Sequence, residues 1–223
     1  MFSGLVREFA HVRFYHNQIL CLESALNPNI GDSIAINGVC LTAIESKKDF
    51  FCVELSNNTA QTIAIENLTH LVHIEPALKL QDGLHGHIVQ GHIDSLGIIQ
   101  EIQQKKNQHI FQIQTNERTL RLMIEKGSVC IDGISLTINR VEKKYFELIV
   151  IPHTMNSTLF STYKTGRRVN IETDVIVRSI ESILYKYMQT HSTYPHNDFQ
   201  LHRQIDNDKM MQEVYDSITL GYS

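Results

Sequence analysis

The segment Gly31-Asp-Ser-Ile-Ala-Ile-Asn-Gly-Val-Cys-Leu-Thr42 returns 95 residues later as Lys126-Gly-Ser-Val-Cys-Ile-Asp-Gly-Ile-Ser-Leu-Thr137. Ser33, Ile36, Gly38, Leu41 and Thr42 fall on Ser128, Ile131, Gly133, Leu136 and Thr137, five identities in twelve positions. The same offset carries Phe51 onto Phe146, Val53 onto Leu148, Leu55 onto Val150 and Thr59 onto Thr154. A repeat of this length and order means a tandem duplication and two similar domains. Cys40 falls on Ser135, so any pockets built at that position are chemically unequal.

Within each copy the apolar residues recur every second position, as in half-buried strands. An extended stretch starts within Met1–Val6 and continues through His11–Tyr15, followed by strands at Ile19–Leu22, Asp32–Ile36, Val39–Ile44 and Phe50–Leu55. Asn37-Gly38 and Asp132-Gly133 are the two dipeptides that most favour a two-residue hairpin turn. Val72-His-Ile-Glu75 closes the first half and Val169-Asn-Ile-Glu172 the second. About six short strands per half predict an antiparallel Greek-key barrel, because closure removes unpaired edges. The expected class is all-β with one C-terminal helix. The expected domains are a barrel over residues 1–85, a second over 86–174, a helix over 175–188 and a polar tail over 189–223.

At 223 residues and 42% hydrophobic, the chain can bury two modest cores. The net charge of -4, with Lys and Arg scattered, provides no basic stripe for nucleic acid or an anionic membrane. A small neutral or anionic ligand is the expectation. Cys21, Cys40, Cys52 and Cys130 form no CxxC pair, and no apolar run reaches the ~20 residues of a spanning helix. Reduced thiols and a cytoplasmic location follow as expectations.

Ten of the eleven glycines precede residue 167, after which the texture changes. Ile176, Ile180, Ile183, Leu184 and Tyr187 recur at helical spacing and form one apolar stripe. That stripe packs either on its own barrel or against the same helix of neighbouring chains.

A duplicated pocket suits a protein that holds two copies of one molecule side by side, and so an enzyme that reacts a substrate with itself. The opposing possibility is a relic duplication with one working pocket. A metal-enzyme reading rests on His85-x-His87 with His92 nearby, since alternation sets the first two on one strand face. No carboxylate follows at a helpful spacing, so no metal is assigned.

Five blocks, Met1-Phe-Ser-Gly-Leu-Val6, Gly31–Thr42, Gly86-His-Ile-Val-Gln-Gly-His-Ile-Asp94, Lys126–Thr137 and Ile151-Pro-His-Thr154, occur in the order found in riboflavin synthases. Over roughly residues 1–185 the chain resembles that lumazine-binding, two-barrel family. The resemblance implies a homotrimer with a core of C-terminal helices, dismutation of two 6,7-dimethyl-8-ribityllumazine molecules into riboflavin and 5-amino-6-(ribitylamino)uracil, and no cofactor or metal. It also implies an active site between the N-terminal barrel of one chain and the C-terminal barrel of its neighbour, and allows association with lumazine synthase. A non-catalytic lumazine- or flavin-carrying antenna protein of the same fold is the alternative.

Carried over by motif, the first pocket uses Gly4, Leu5, Val6, Cys40, Leu41, Thr42 and the strand running through Glu54, Leu55, Ser56, Asn57, Asn58 and Thr59. The second uses Ser135, Leu136, Thr137 and the stretch Ile149, Val150, Ile151, Pro152, His153, Thr154. Gly91, His92 and Ile93 border the first substrate and Lys126 the second, while Phe2 lies against a ligand or plugs a barrel end. His92, Ser135, Cys40, His87, Lys126 and Asp174 are the candidate catalytic groups. His92 carries an imidazole and suits proton transfer from the C7 methyl of one lumazine. Cys40 and Ser135 suit addition to the other, or placement of the water that adds. The chain departs from the family at Ser56-Asn-Asn-Thr59, at His85-Gly-His87 and at Gln90-Gly91-His92.

Overall fold

Twelve strands close into two six-stranded antiparallel barrels in a computed structural model that describes residues 1–191. The first barrel comprises β1 (Glu8–His16), β2 (Ile19–Glu23), β3 (Ser33–Ile36), β4 (Val39–Lys47), β5 (Phe50–Glu54) and β6 (Leu71–Pro76). The helix α1 (Asn57–Thr62) sits between β5 and β6. The second comprises β7 (Ser95–Lys105), β8 (Gln108–Gln114), β9 (Ser128–Ile131), β10 (Ile134–Val141), β11 (Tyr145–Val150) and β12 (Arg168–Thr173). Here α2 (Glu117–Leu120) precedes β9 and α3 (Pro152–Ser157) follows β11. The strand orders β1-β2-β5-β4-β3-β6 and β7-β8-β11-β10-β9-β12 are the same path shifted by one copy. Bulges fall at matching places too, Val12/Phe14 with Ile99/Glu101 and Ala43/Glu45 with Ile138/Arg140, where a small barrel must bend sharply.

Each barrel is filled by its own inward row. Leu20, Leu22, Ile34, Ile36, Phe51 and Val53 fill the first; Ile99, Phe111, Ile113, Val129, Ile131 and Phe146 fill the second. The two hairpin turns carry positive φ at both central residues, Asn37 (45°) and Gly38 (80°), Asp132 (46°) and Gly133 (84°). That is the backbone a tight two-residue hairpin demands. The turns meet each other: a Cβ on Gly38 would lie 2.6 Å from the Gly133 nitrogen.

Around those turns the barrels exchange buried hydrogen bonds by a pseudo-twofold pattern. His73 on β6 reaches the carbonyl of Asp132 through Nδ1 at 3.0 Å, and its Nε2 accepts the Leu159 N–H at 2.8 Å. Because the Leu159 amide can only donate, Nδ1 carries the proton. Asn170 on β12 does the same with an amide, donating to the Asn37 carbonyl at 2.9 Å and accepting the Ala64 N–H at 2.8 Å. Burial lowers the His73 pKa to about 4. Burial also raises that of Asp132 to about 6, opposed by the Tyr163 hydroxyl that donates to it at 2.7 Å.

Three expectations need correction. Met1–Val6 is not part of a strand; Phe2 makes a single bridge to Val89, and β1 starts at Glu8. The stretch Glu54–Thr59 is not one strand, because β5 ends at Glu54 and Ser56 caps α1 by accepting the Thr59 N–H at 3.0 Å. The thiols are not all reduced: the β2–β5 register sets Cys21 opposite Cys52 with Cα atoms 4.1 Å apart, and the two form a disulfide. Cys40 and Cys130 are free.

After β12 the helix α4 (Val175–His191) runs three residues beyond the expected end. Its stripe residues Ile176, Ile180, Ile183, Leu184 and Tyr187 are exposed in the single chain. From residue 192 onward the expected polar tail lies outside the described residues. No helix among the described residues is long and apolar enough to cross a membrane.

Candidate active site

Alternation along β4 decides which groups reach the outer wall of the first barrel. Val39, Leu41 and Ala43 point into the core, so Cys40 and Thr42 point out. Thr42 lies opposite Glu54 on β5, and α1 brings Thr59 and Thr62 alongside. Cys40, Thr59, Thr62 and Ile63 share a cavity of about 160 Å³ with Gly91, His92 and Ile93. The Thr59 hydroxyl lies 2.9 Å from that of Ser56. The cavity thus offers a thiol, an imidazole and hydroxyls beside apolar wall.

On the second barrel β10 repeats the pattern: Ile134, Leu136 and Ile138 face inward, while Ser135 and Thr137 face outward. Here the Ser135 hydroxyl lies 2.7 Å from Nδ1 of His87. His87 is buried, and its Nε2 has no protein partner among the described residues. Burial lowers its pKa, with the Asp174 carboxylate pulling the other way. A hydroxyl against a buried imidazole is a group that can be deprotonated or can orient water. Gly86 permits the arrangement, since a Cβ there would fall 2.0 Å from the Ser3 carbonyl and 2.9 Å from the Ser135 Cβ.

Two extended straps cover the outward positions, and they cross. Residues 2–6 lead into the first barrel, yet the Ser135 N–H donates to the Gly4 carbonyl at 2.8 Å and Val6 packs on the second core. Residues 89–93 lead into the second barrel, yet the Cys40 N–H donates to the Gly91 carbonyl at 2.9 Å and Ile93 packs on the first core. Gly4 (φ 77°) and Gly91 (φ 80°) lie so close that a Cβ would come within 2.6 Å of Ser135 Cβ and 2.5 Å of Cys40 Cβ. Phe2 and Val89 pair back to back between the barrels, in a small cluster with Ala35 and Cys130.

The structure therefore regroups the sequence-derived sites. Gly4, Leu5 and Val6, assigned to the first pocket, belong beside Ser135, whereas Gly91, His92 and Ile93 do lie beside Cys40. Leu41, Leu55, Leu136 and Val150 are buried in the barrel cores and can offer a ligand only backbone groups. Phe2 is fully buried between the barrels rather than facing a cavity. Asn57 and Asn58 are exposed on α1, and Ile151, Pro152 and His153 are exposed where β11 passes into α3, with Thr154 half-buried and Ile149 half-buried on β11. Asp174 caps α4 by accepting the Ile176 N–H at 2.8 Å. Lys126 is exposed on the turn before β9 and does not line the cavity at Cys40. Among the described residues no group of three or more His, Cys, Asp or Glu is placed to hold a metal ion.

Sequence reasoning missed the groups that hold the straps. Glu75 accepts the N–H of Ser3 at 2.8 Å, its hydroxyl at 2.8 Å and the N–H of Gly4 at 3.1 Å. Glu172 accepts the N–H groups of Gln90, Gly91 and His92 at 2.7, 2.8 and 3.1 Å. The only signal for them was the paired strand endings Val-His-Ile-Glu75 and Val-Asn-Ile-Glu172.

Comparison with known proteins bears on the family and the fold. Residues 3–77 and 90–174 each match the family described as lumazine binding domain. The chain is 34% identical over 195 residues to riboflavin synthase of Actinobacillus pleuropneumoniae, covering 83% of this chain and 91% of that one. Identity to the Bacillus subtilis enzyme is 31% over 195 residues, with the same shares covered. Riboflavin synthase of Mycobacterium tuberculosis is 36% identical over 163 residues, covering 69% of this chain and 80% of its own. Solved structures of LumP with 6,7-dimethyl-8-(1'-D-ribityl) lumazine and with riboflavin superpose with TM-scores of 0.66 and 0.68. Each covers 78% of this chain and 99% of the other at 16% identity, a likeness of fold. Two copies of the same domain, matched over most of the chain by curated enzymes, place it in the riboflavin synthase family of transferases built from paired lumazine-binding domains.

Proposed function

We propose that this chain converts two molecules of 6,7-dimethyl-8-ribityllumazine into riboflavin and 5-amino-6-(ribitylamino)uracil by moving a four-carbon unit from one to the other. The two products account for every atom of the two substrates, so neither oxidant nor reductant is required. The observation that carries the reading is one outward position repeated on two like barrels, with Cys40 sharing a cavity with His92 on the first and Ser135 set against His87 on the second. Equivalent positions on two like barrels suit two like molecules, and unequal side chains separate donor from acceptor.

In this reading Thr42, Thr59, Thr137 and Thr154 serve ribityl and ring oxygens, and backbone groups of the straps and of β4 and β10 read the pyrimidine edge. Ser135, polarised by His87, adds to one lumazine or holds the water that adds. His92 takes the proton from the C7 methyl of the other. Holding both rings in place supplies a large part of the bimolecular barrier. The exposed stripe on α4 supports a homotrimer in which each site joins unlike barrels of neighbouring chains, with Lys126 reaching a substrate across that seam. Cytoplasmic location, and association with lumazine synthase, belong to the same proposal.

The test is anaerobic incubation of the purified protein with 6,7-dimethyl-8-ribityllumazine alone, following riboflavin absorbance, with solution mass measured in parallel. Riboflavin formed by a trimer supports the reading. Tight lumazine binding without turnover would replace it with the non-catalytic carrier.

A further inference from the structure

Glu75 and Glu172 are the penultimate residues of the closing strands of the two barrels, and both are almost fully buried. A carboxylate in such a place raises the cost of its own charge unless several donors meet it. Each one meets them, and in each case the donors belong to a strap rather than to the barrel wall, namely backbone N–H groups and, for Glu75, the Ser3 hydroxyl as well. The strap held by Glu75 of the first barrel lies over Ser135 of the second, and the strap held by Glu172 of the second lies over Cys40 of the first.

We propose that Glu75 and Glu172 are crossed positioning residues: each sets the roof of the pocket on the other barrel, not on its own. The roofs are not tied down equally. On α4, Arg178 pairs with Asp94 and donates to the Gln90 side chain at 2.7 Å, and Asp94 in turn accepts the Thr173 N–H at 2.8 Å and hydroxyl at 2.7 Å. The Gly91 strap therefore has a second clamp, from the first turns of the helix, on the strap that covers Cys40. That clamp makes the Cys40 pocket sensitive to how α4 is held. The identity of what the pockets take rests on the lumazine reading; the crossing itself does not.

Cys40 is a half-buried free thiol beneath the Gly91 strap, so its alkylation rate reports the opening of that strap without any substrate. Ser135→Cys supplies the mirror reporter, since Cys40 already shows that a thiol fits beneath a strap glycine at this spacing. Iodoacetamide labelling of the full chain, mapped by peptide mass, should rise about tenfold at Cys40 in Glu172→Gln, the scale of one lost charge-assisted hydrogen bond. At the position-135 thiol the same variant should change labelling by less than about twofold. Glu75→Gln should show the reverse, opening position 135 and sparing Cys40.

Arg178→Ala should open Cys40 alone and Arg178→Lys should recover part of the protection; these two keep the test usable if a buried Glu→Gln change prevents folding. Equal opening of both positions, or opening confined to the barrel that carries the altered residue, overturns the proposal. Added riboflavin separates the two readings. Protection of the thiol supports the lumazine assignment, whereas crossed opening without protection keeps the clamps and removes the ligand.

Discussion

Nδ1 of His87 lies 2.7 Å from Oγ of Ser135, and the equivalent position in the first barrel is Cys40, a free thiol that shares a cavity with His92. The duplication thus kept the position and divided its chemistry. The two halves differ at equivalent positions, as the proposed reaction between identical molecules requires.

If Ser135 and His92 act in the chemical step, Ser135→Ala and His92→Gln should lower kcat by about 10²-fold while lumazine affinity changes by less than about threefold. Equilibrium titration and steady-state kinetics on the same preparations check this. Equal losses in binding and turnover remove the residue concerned from the chemistry and leave it a binding role.

The meeting of the hairpin turns yields a stability prediction with a built-in control. Gly38 and Gly31 both have positive φ, 80° and 94°, so alanine strains the backbone at either place by roughly 1–2 kcal/mol. Only at Gly38 would the new Cβ strike backbone, 2.6 Å from the Gly133 nitrogen; nothing lies within 4 Å at Gly31. Gly38→Ala should therefore destabilise clearly more than Gly31→Ala in urea unfolding, and comparable effects would show that the turns do not press on each other.

His73 and Asp132 give opposed pH dependences. The His73 pKa falls to about 4 on folding, so between pH 4 and 6.5 the unfolded chain binds the extra proton and stability is lost on acidification. The Asp132 pKa rises to about 6, so between 3.8 and 6 the folded chain binds the extra proton and stability is lost as pH rises. Each effect spans roughly 3 kcal/mol, and in the shared window they nearly offset. His73→Gln removes the first and leaves the second. Its unfolding free energy, relative to the parent chain, should improve steadily as pH falls from 6.5 to 4; a constant difference across that range would mean that His73 does not titrate as described.

The fold was legible because its signals are local and came twice: alternation, the Asn-Gly and Asp-Gly turns, and a repeat that fixed the strand path of one barrel by that of the other. The short helices were less so, because Asn57–Thr62 carries no apolar stripe and forms on the cap from Ser56. Which barrel the Gly4 strap covers was not legible at all. A chain that leads into one barrel while packing on the next leaves no trace in periodicity, and the motif blocks group residues by sequence order rather than by contact. The Cys21–Cys52 pairing likewise appears only once the β2–β5 register is known.

Two cross-barrel contacts near one another separate surface charge from buried hydrogen bonding. Arg168 on β12 forms a two-pronged ion pair with Glu66 at 2.7 and 2.9 Å, but both side chains are nearly half exposed. Water and salt screen such a pair, so Glu66→Gln should cost less than about 1 kcal/mol, and that loss should shrink in 1 M salt, where screening reaches ~3 Å. Asn170, two residues along the same strand, is buried and ties the Ala64 N–H and the Asn37 carbonyl across the barrel boundary. Asn170→Ala leaves one donor and one acceptor without partners, each worth about 1–3 kcal/mol, and should cost roughly 2–5 kcal/mol independent of salt. Unfolding in urea at low and high salt ranks the two. A larger loss from Glu66→Gln would mean that the barrels are held together by their surface charges rather than by the amide and imidazole buried between them.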